Sequence, residues 1–524
     1  MIQQPLAPDG FPEKWNFATA DYEMDPDIIE NLLYSAHLGQ ALLSLPSISI
    51  VSDLENFFDP TLGIYANPSR KGIAWERPVS VEWIDPDTGQ NFHVNAGIRI
   101  HGRRSRKPDF SPKHSFRLLF KRKYGPTKLR YPIFGGSATT SFDTLTLRAN
   151  AHDGYSLNEP GVQYIRDEFA RRTQLALGQI SSHGTFTHLY LNGLYWGLYN
   201  VVERPDASFA ERYFGGDKES WDVMNSGIVV NGSGKIWEAL QKELARMNLR
   251  LDWPYRRIQG CNPDGSPSPR YKNYIDIENY IDYMIICHWI GHSDWPRSNW
   301  YAARRRVDST GYKFFLWDSE FSIGMRSDLQ HNVTQRGIGA AAPYNALKQN
   351  PEFRLLFADR VHRHLFNEGA LTTNSVIDRY KSLADQIELA MIAESARWGD
   401  QHRSSPHTVD EWRTERDRLL KGYFPHRSRM VLEQFRDAGL YSRVNAPVFS
   451  QHGGTITNKV LLTMTATNSI YYTLNGRDPR EYGTGKQVGK LYKEPLTLYR
   501  TTRVKARCLE GSEWSALNET LFVR

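Results

Sequence analysis

The apolar pattern changes character twice along the chain. Residues 46–205 contain short segments in which apolar and polar residues alternate, as in 92–100, together with one amphipathic helical segment. Residues 206–445 carry apolar residues mainly at helical spacing, and residues 446–524 return to short strand-like segments separated by turns. Before them, residues 1–45 form an acidic, proline-punctuated lead. This order predicts an α+β protein with an antiparallel β-rich region, a mainly helical region and a small β-sandwich.

Length and composition narrow the class of protein. A chain of 524 residues exceeds the size of a single core and predicts two to four domains. Apolar residues make up 40% and charged residues 23%, which is typical of globular proteins and excludes disordered and fibrous classes. The net charge of +7 is spread over 65 basic and 58 acidic residues, so it indicates a locally basic site and no nucleic-acid partner.

Cysteine usage and the N-terminus leave the compartment open. The three cysteines, Cys261, Cys287 and Cys508, are widely spaced and predict neither a disulfide framework nor a zinc ribbon. No run of 18 apolar residues and no basic segment followed by an apolar one is present, so we expect neither a transmembrane segment nor a signal peptide in the chain as given. A fragment of a longer exported chain is the alternative.

A basic loop at 101–112 separates two predicted strands. It contains Gly102, Arg103, Ser105 and Arg106, whose backbone amides and guanidinium groups suit a phosphate. The alternative is a solvated hairpin tip. Lys113 opens the following strand and is predicted to face the same ligand, although an ordinary surface lysine fits the pattern as well.

Two further segments complete the β-rich part. The helical pattern at 161–177, ending at Gly178, can offer Asp167 or Glu168 to Lys113; ordinary pairs on the helix surface are the alternative. The hairpin at 185–203 turns at Asn192-Gly193, a type I′ signal, and stops at Glu203. Sheet, helix, hairpin and a polar connector into helical sequence is the layout of a kinase small lobe and hinge.

Three polar residues beyond this connector follow the order that phosphoryl transfer uses. Asp294 precedes Asn299 by five residues, and Asp318 follows in the segment Phe-Leu-Trp-Asp. A kinase catalytic loop needs an Asp to orient the acceptor hydroxyl and an Asn five residues later to hold Mg²⁺, with a separate Asp for the metal. Predicted strands at 300–304 and 313–317 place both metal ligands side by side.

A zinc site is the competing prediction for the same segment. His288 and His292 have the i, i+4 spacing that lets two imidazoles face one ion. Trp289 occupies the position at which a zincin carries its glutamate, so local hydrogen bonding is the plainer interpretation of both histidines.

Residues 46–440 resemble the CotH kinase family, the spore coat protein H-like atypical protein kinases of bacteria. The matching stretches are 96–106, 113–117, 190–199, Asp294 with Asn299, and Trp317 with Asp318. The resemblance implies a divergent two-lobed kinase fold with the β-rich N-lobe at 46–205 and the helical C-lobe at 206–445. It also implies ATP and Mg²⁺ as cofactors and transfer of phosphate to Ser or Thr of a protein.

The resemblance also implies roles for single residues. Asp294 would be the catalytic aspartate, and Asn299 and Asp318 would bind the metal. Lys113 would hold the nucleotide phosphates, and Glu203 would lie at the adenine side of the hinge. The phosphate loop would consist of Gly102, Arg103, Ser105 and Arg106.

The C-terminal part resembles a different module. Through 470–479 and Trp514-Ser515, residues 446–524 are similar to the chitobiase/β-hexosaminidase C-terminal domain, an Ig-like accessory. It implies an exported or cell-surface setting and a glycan or surface partner. Ordinary kinase signatures such as V-A-I-K, H-R-D and D-F-G are missing, so the alternative function is a catalytically inactive surface scaffold that binds a glycan or a protein.

Overall fold

Seven strands close into a barrel in the computed structural model, which describes residues 4–524. Around the barrel their order is β6-β7-β5-β4-β3-β2-β1. The strands are β1 (Ser47–Val51), β2 (Arg77–Ile84), β3 (Phe92–His101), β4 (Ser115–Leu119), β5 (Thr144–Arg148), β6 (Gly184–Leu191) and β7 (Leu194–Val202). Alternate residues point into a core that includes Ile48, Ile50 and Phe116.

The predicted antiparallel sheet is right for all but one of these strand pairs. Strand β1 runs parallel to β6, with His188 opposite Ser47, and this pairing closes the barrel. Alternation within each strand predicts a sheet but not which edges meet, so the closure was not foreseen. The β6–β7 turn is confirmed: Asn192 and Gly193 have φ of +46° and +85°, as a type I′ turn requires.

Fourteen α-helices accompany the strands within residues 4–524. They are α1 (Pro26–Ile29), α2 (Leu32–Ala41), α3 (Leu54–Phe58), α4 (Arg166–Ala176), α5 (Ala207–Phe214), α6 (Lys235–Arg246), α7 (Asp252–Ile258), α8 (Ile277–Ile290), α9 (Ala342–Leu347), α10 (Pro351–Leu365), α11 (Thr373–Ile387), α12 (Ala390–Trp398), α13 (Val409–Arg418) and α14 (Phe424–Asp437). In this described part, every helix is too short or too polar to cross a membrane.

Helix α4 is shorter than its sequence pattern. It begins at Arg166 because Tyr164 has φ of +65°, which interrupts the helical backbone. The carboxylate of Asp153 accepts hydrogen bonds from the backbone N–H groups of Gln163 and Arg166, which satisfies donors at this end. The helix ends at Ala176, followed by its C-cap Leu177 and by Gly178 with φ of +83°, the glycine predicted to end it.

A second sheet follows the barrel and carries the predicted hairpin. Its order is β9-β8-β10-β11, from β8 (Trp221–Asn225), β9 (Ile228–Asn231), β10 (Trp300–Arg305) and β11 (Lys313–Leu316). Strands β10 and β11 are antiparallel, with Trp300 opposite Leu316. Asn299 and Asp318 therefore lie at the same end of the hairpin.

The C-terminal strands enclose a small core of their own, which includes Leu462, Val504 and Phe522. The main strands are β12 (Val460–Leu462), β13 (Ser469–Thr473), β14 (Leu496–Leu498), β15 (Thr502–Glu510) and β16 (Asn518–Val523). Two-residue strands complete the sheets: Val448–Phe449, Gly454–Thr455, Met464–Thr465, Lys490–Leu491 and Glu513–Trp514. Arg507 of β15 bonds the carboxylate of Asp359 on α10, so this part packs against the helical region.

Candidate active site

A cleft of about 1420 Å³ opens between the barrel and the second sheet. Its walls carry more cations than anions. The Lys and Arg side chains that line it are Lys71, Arg103, Arg104, Arg117, Lys121, Arg122, Arg148, Arg204 and Lys218, and the Asp and Glu side chains are Asp143, Asp206, Asp294, Asp318 and Glu320. Such a cleft suits an anionic ligand.

The predicted aspartate and asparagine are in direct contact at this cleft. The side-chain amide of Asn299 donates to Asp294 Oδ2 at 2.6 Å. The backbone N–H of Asn299 donates to Ser226 Oγ at 3.0 Å, which holds the segment against the β8–β9 turn. The side chain of Asp294 is 40% exposed, so its carboxylate is open to a substrate in the cleft.

Asp318 lies on the neighbouring chain segment, two residues after the end of β11. Both Asn299 and Asp318 have left-handed backbones, with φ of +66° and +60°. Left-handed conformations of residues other than glycine are uncommon and concentrate at functional sites. The hairpin thus brings both predicted metal ligands to one cleft wall in conformations that the surrounding structure must hold.

Arg148 is the cation that faces the carboxylates of Asp318, Glu320 and Asp167, and the sequence did not indicate it. Its Nη2 donates to Asp318 Oδ1 at 2.6 Å and to Glu320 Oε1 at 2.5 Å. Its Nε lies 3.4 Å from Asp167 Oδ2 on α4. A charged residue at the end of an apolar strand, and a glutamate two residues after Asp318, are the only sequence signals that could have pointed to this cluster.

Asp167 and Glu168 on α4, the candidate partners of Lys113, form ion pairs with other residues. Burial alone would raise the pKa of Asp167, but the guanidinium groups of Arg148 and Arg171 outweigh it and hold the pKa below its usual value. Glu168 pairs with Arg171 and Arg172. Neither carboxylate contacts Lys113.

Lys113 itself points away from the cleft. Its side chain is 1% exposed, and its Nζ bonds Glu394 Oε1 at 2.5 Å and the carbonyl of Leu198 at 2.7 Å. The prediction that this lysine faces a phosphate from the strand is therefore corrected. Its partner lies on α12, 281 residues later in the chain.

Three residues of the predicted phosphate loop line the cleft, and the fourth does not. Gly102, Arg103 and Ser105 line the cleft, and Gly102 has φ of +110° with Ser105 Oγ in the space that a Cβ would need. Arg106 instead turns inward and donates to the carbonyls of Pro68 and Arg70 at 2.8 and 2.9 Å. These hydrogen bonds anchor the loop to residues 68–70, because the donors of a buried guanidinium must be satisfied.

The carboxylate of Glu203 is also hydrogen-bonded to other groups of the protein. Its carboxylate accepts hydrogen bonds from the backbone N–H of His183 at 2.9 Å and from the Tyr213 hydroxyl at 2.8 Å. It is buried and does not line the large cleft. The residues of this connector that do line the cleft are Arg204 and Asp206.

The donor set at the hairpin end suits magnesium better than zinc. Among residues 4–524, no three His, Cys, Asp or Glu side chains surround one metal position. Magnesium binds through one or two protein oxygens together with phosphates and water, and Asn299 and Asp318 supply such oxygens. His288 instead sits among aromatic rings, including Trp295 and Phe435, and burial lowers its pKa to about 3.

Two family models match the sequence of this chain. The sequence model of the family described as CotH kinase protein matches residues 98–431, more than half of the chain and all the acidic residues at the hairpin end. The model described as chitobiase/beta-hexosaminidase C-terminal domain matches residues 451–516. A search of curated proteins found no match. The chain therefore belongs to the CotH kinase protein family and carries a chitobiase/beta-hexosaminidase C-terminal domain.

Proposed function

We propose that the protein transfers the γ-phosphate of ATP to a Ser or Thr hydroxyl of an acceptor protein. The barrel and the helical region would act as the two lobes of a divergent kinase fold, with the nucleotide in the cleft between them. The observation that carries this proposal is that Asp294, Asn299 and Asp318 line one cleft together with Gly102 and Arg103 of the basic loop.

Asp294 is the residue proposed to act on the acceptor hydroxyl. Its Oδ2 is held by the amide of Asn299, and its Oδ1 lies 3.2 Å from Nδ1 of the buried His292. This fixes the carboxylate in one orientation while leaving it exposed to the cleft. The attacking hydroxyl would pass its proton to this carboxylate as its oxygen bonds to the γ-phosphorus, while the bond from that phosphorus to the β–γ bridging oxygen breaks and ADP leaves.

Asn299 and Asp318 are the residues that would hold Mg²⁺, with Glu320 two residues beyond. Bound there, the metal would neutralise charge on the nucleotide phosphates during transfer. The protein's own part is to keep the amide and carboxylate oxygens in place, which it does through the left-handed backbones of both residues.

We propose for Arg148 the role that the sequence predicted for Lys113. It lines the cleft, and both of its contacts with Asp318 and Glu320 run through one nitrogen, Nη2. We propose that it binds nucleotide phosphate together with Arg103 of the basic loop. Lys113 would support the site indirectly by joining α12 to the barrel.

An inactive scaffold is the second candidate function. The salt bridges of Arg148 already give Asp318 and Glu320 a counter-charge from the protein itself, and the C-terminal domain supplies a surface that could bind a glycan or a protein. As a scaffold, the protein would bind its partner at a cell surface and would not catalyse phosphoryl transfer.

Thermal unfolding distinguishes the active kinase from the inactive scaffold. At about 100 times its dissociation constant, a ligand stabilises the folded state by about 2.7 kcal/mol. We expect ATP with Mg²⁺ to raise the melting temperature of the wild type but not of Asp318→Ala, whereas exposed Asp385→Ala should respond like the wild type. Transfer of labelled phosphate to a protein acceptor by the wild type would then establish the reaction. No shift at millimolar ATP would favour the scaffold.

A further inference from the structure

Arg336, in the loop between β11 and α9, binds the backbone of the segment that carries Asp294. Its Nη1 donates hydrogen bonds to the carbonyls of His292 at 3.0 Å and Ser293 at 2.7 Å, and also to the carbonyl of Trp295. These carbonyls lie on both sides of Asp294 in the sequence. One guanidinium nitrogen therefore holds the chain immediately before and immediately after the aspartate proposed to act on the acceptor.

The convergence of these three carbonyls depends on the arginine. Within residues 4–524, Arg336 is the only donor of a hydrogen bond to any of them. A buried carbonyl without a donor costs free energy. Carbonyl oxygens also carry partial negative charges, which repel one another at short range unless a cation lies between them. Without the guanidinium, we therefore expect this segment to adopt a different backbone conformation.

Arg427 provides a comparison, since it also binds several carbonyls. Its guanidinium donates to the carbonyls of His288 and Trp289 in the last turn of α8. Carbonyls at a helix C-terminus lack partners within the helix, so an arginine there acts as an ordinary cap. The carbonyls bound by Arg336 lie beyond the end of α8. Arg336 therefore orders a loop and not a helix end.

The chain that follows Arg336 contacts the same segment directly. The N–H of Ala340 donates to the carbonyl of Pro296 at 3.0 Å. Gly339 has φ of +54°, and a Cβ at this position would collide with the same carbonyl, so the contact requires glycine. Burial lowers the pKa of Arg336, and the negative charge of Asp294 opposes this lowering. The loop and the aspartate thus interact through backbone contacts and through charge.

We propose that Arg336 is a positioning residue for the Asp294 carboxylate. By fixing the carbonyls on both sides of Asp294, it sets where this side chain meets the amide of Asn299, which donates to Asp294 Oδ2 at 2.6 Å. A displacement of about 1 Å at a reacting group can reduce a rate about 100-fold. Arg336 itself does not line the cleft, so it acts through Asp294. The consequence for catalysis rests on the proposed function, whereas the effect on the contact between Asp294 and Asn299 does not.

The first measurement follows that contact and needs no activity. In the full chain, the ¹H–¹⁵N signals of the Asn299 side-chain amide are identified by their absence from Asn299→Ser, and Asp294→Ala gives their positions without the hydrogen bond. We expect Arg336→Ala to move these signals toward those of Asp294→Ala. Arg354→Ala is the matched control and should leave them unchanged, since Nη1 of Arg354 also donates to two carbonyls, at 3.0 and 3.1 Å, but outside the cleft.

The second measurement is the rate of phosphoryl transfer. Arg336→Ala should lower kcat by about tenfold or more. It should leave the KM for ATP within about twofold of the wild type and keep the melting shift with ATP and Mg²⁺, because nucleotide binding does not involve Asp294.

Rescue by a cation shows whether the charge between the carbonyls is what matters. Millimolar guanidinium, far below denaturing concentrations, should restore part of the lost kcat and return the Asn299 signals toward the wild type, because the free cation can occupy the same place. It should not accelerate the wild type. Arg336→Lys, which keeps the charge but has a different donor geometry, should lie between the wild type and Arg336→Ala in both measurements.

The outcomes keep this inference apart from the proposed function. Unchanged Asn299 signals in folded Arg336→Ala would overturn the inference, as would a loss of kcat that neither guanidinium nor Arg336→Lys relieves. If Arg336→Ala does not fold, the neutral but longer Arg336→Gln takes its place in each measurement. Moved signals in a protein that shows neither phosphoryl transfer nor a melting shift with ATP would remove the proposed function and leave Arg336 as the residue that positions Asp294.

Discussion

The Lys113 ammonium and the Glu394 carboxylate form a buried ion pair of 2.5 Å that joins the barrel to helix α12. Both groups also bond the backbone of Leu198 on β7: Lys113 donates to its carbonyl, and Glu394 accepts from its N–H at 2.7 Å. Gly197, with φ of +108°, leaves the space that the Glu394 carboxylate occupies. The pair therefore holds together two parts of the protein that are distant in sequence.

Breaking this pair should cost stability and spare the nucleotide site. Removing one partner of a buried ion pair costs roughly 3–5 kcal/mol, because the other charge is left without a partner. We expect such a loss for Lys113→Met in urea unfolding, and partial recovery in Lys113→Met/Glu394→Leu. The exposed pair of Lys421 and Asp417 is the control, since a surface pair contributes about 0–1 kcal/mol.

The nucleotide response of the same variants tests the role of the lysine. Lys113 does not line the cleft, so the double variant should keep the melting shift with ATP and Mg²⁺. Loss of the shift in a folded double variant would return Lys113 to the phosphate site.

Asp294→Asn and Asp318→Asn should both abolish phosphoryl transfer, but by different routes. Asp294 is proposed to orient the hydroxyl and Asp318 to hold the metal, so each loss should reduce kcat by orders of magnitude. Asp294→Asn should retain the melting shift with ATP and Mg²⁺, and Asp318→Asn should lose most of it. Full activity in either variant contradicts the assignment; Asp385→Asn serves as the control.

Arg148→Met should make the apo protein sensitive to magnesium. Without the guanidinium, Asp167, Asp318 and Glu320 lose a common counter-charge, and like charges in a largely buried cluster repel. We expect a lower melting temperature that Mg²⁺ alone partly restores, together with weaker binding of ATP. An identical response to Mg²⁺ in variant and wild type would show that Arg148 and the metal do not share these carboxylates.

Buried histidines should weaken the fold at acidic pH. Burial lowers the pKa of His188 to about 4, although its hydrogen bond to the Ala41 carbonyl opposes this. Between about pH 6.5 and 4 the unfolded imidazole binds a proton that the folded one does not, so the free energy of unfolding falls as pH is lowered, by up to about 1.4 kcal/mol per pH unit. His188→Gln should reduce this slope in urea unfolding between pH 7.5 and 4.5, and exposed His37→Gln should not.

Arg507→Met should loosen the C-terminal domain. The guanidinium of Arg507 bonds Asp359 on α10 and Asp478 within the domain, each at 2.6 Å, and its side chain is buried. Loss of the charge leaves two carboxylates unpaired at the junction. We expect faster proteolysis at residues 438–450 than in Arg503→Met, whose guanidinium is half exposed. Unchanged proteolysis would mean that the other contacts of this junction, such as the salt bridge between Arg480 and Glu352, suffice to hold the domain.

Local features of the fold were predictable because their causes are local. The Asn192-Gly193 turn follows from the ease with which these residues adopt positive φ, and Gly178 ends α4 for the same reason. The β10–β11 hairpin follows from two short apolar segments close in sequence, and it alone predicts that Asn299 and Asp318 meet. Closure of the barrel by β1 and β6 was not predictable, since it pairs strands about 140 residues apart.

By itself, the sequence determined the types of the elements, the order of Asp294, Asn299 and Asp318, and the family resemblance. Only the tertiary structure decided which charged side chains face the cleft. Lys113 and Arg148 both lie next to or within apolar barrel strands, and nothing local distinguishes them. Their directions are set by carboxylates that the fold brings to them, Glu394 for one and Asp318 with Glu320 for the other, because a buried charge must lie where its counter-charge is.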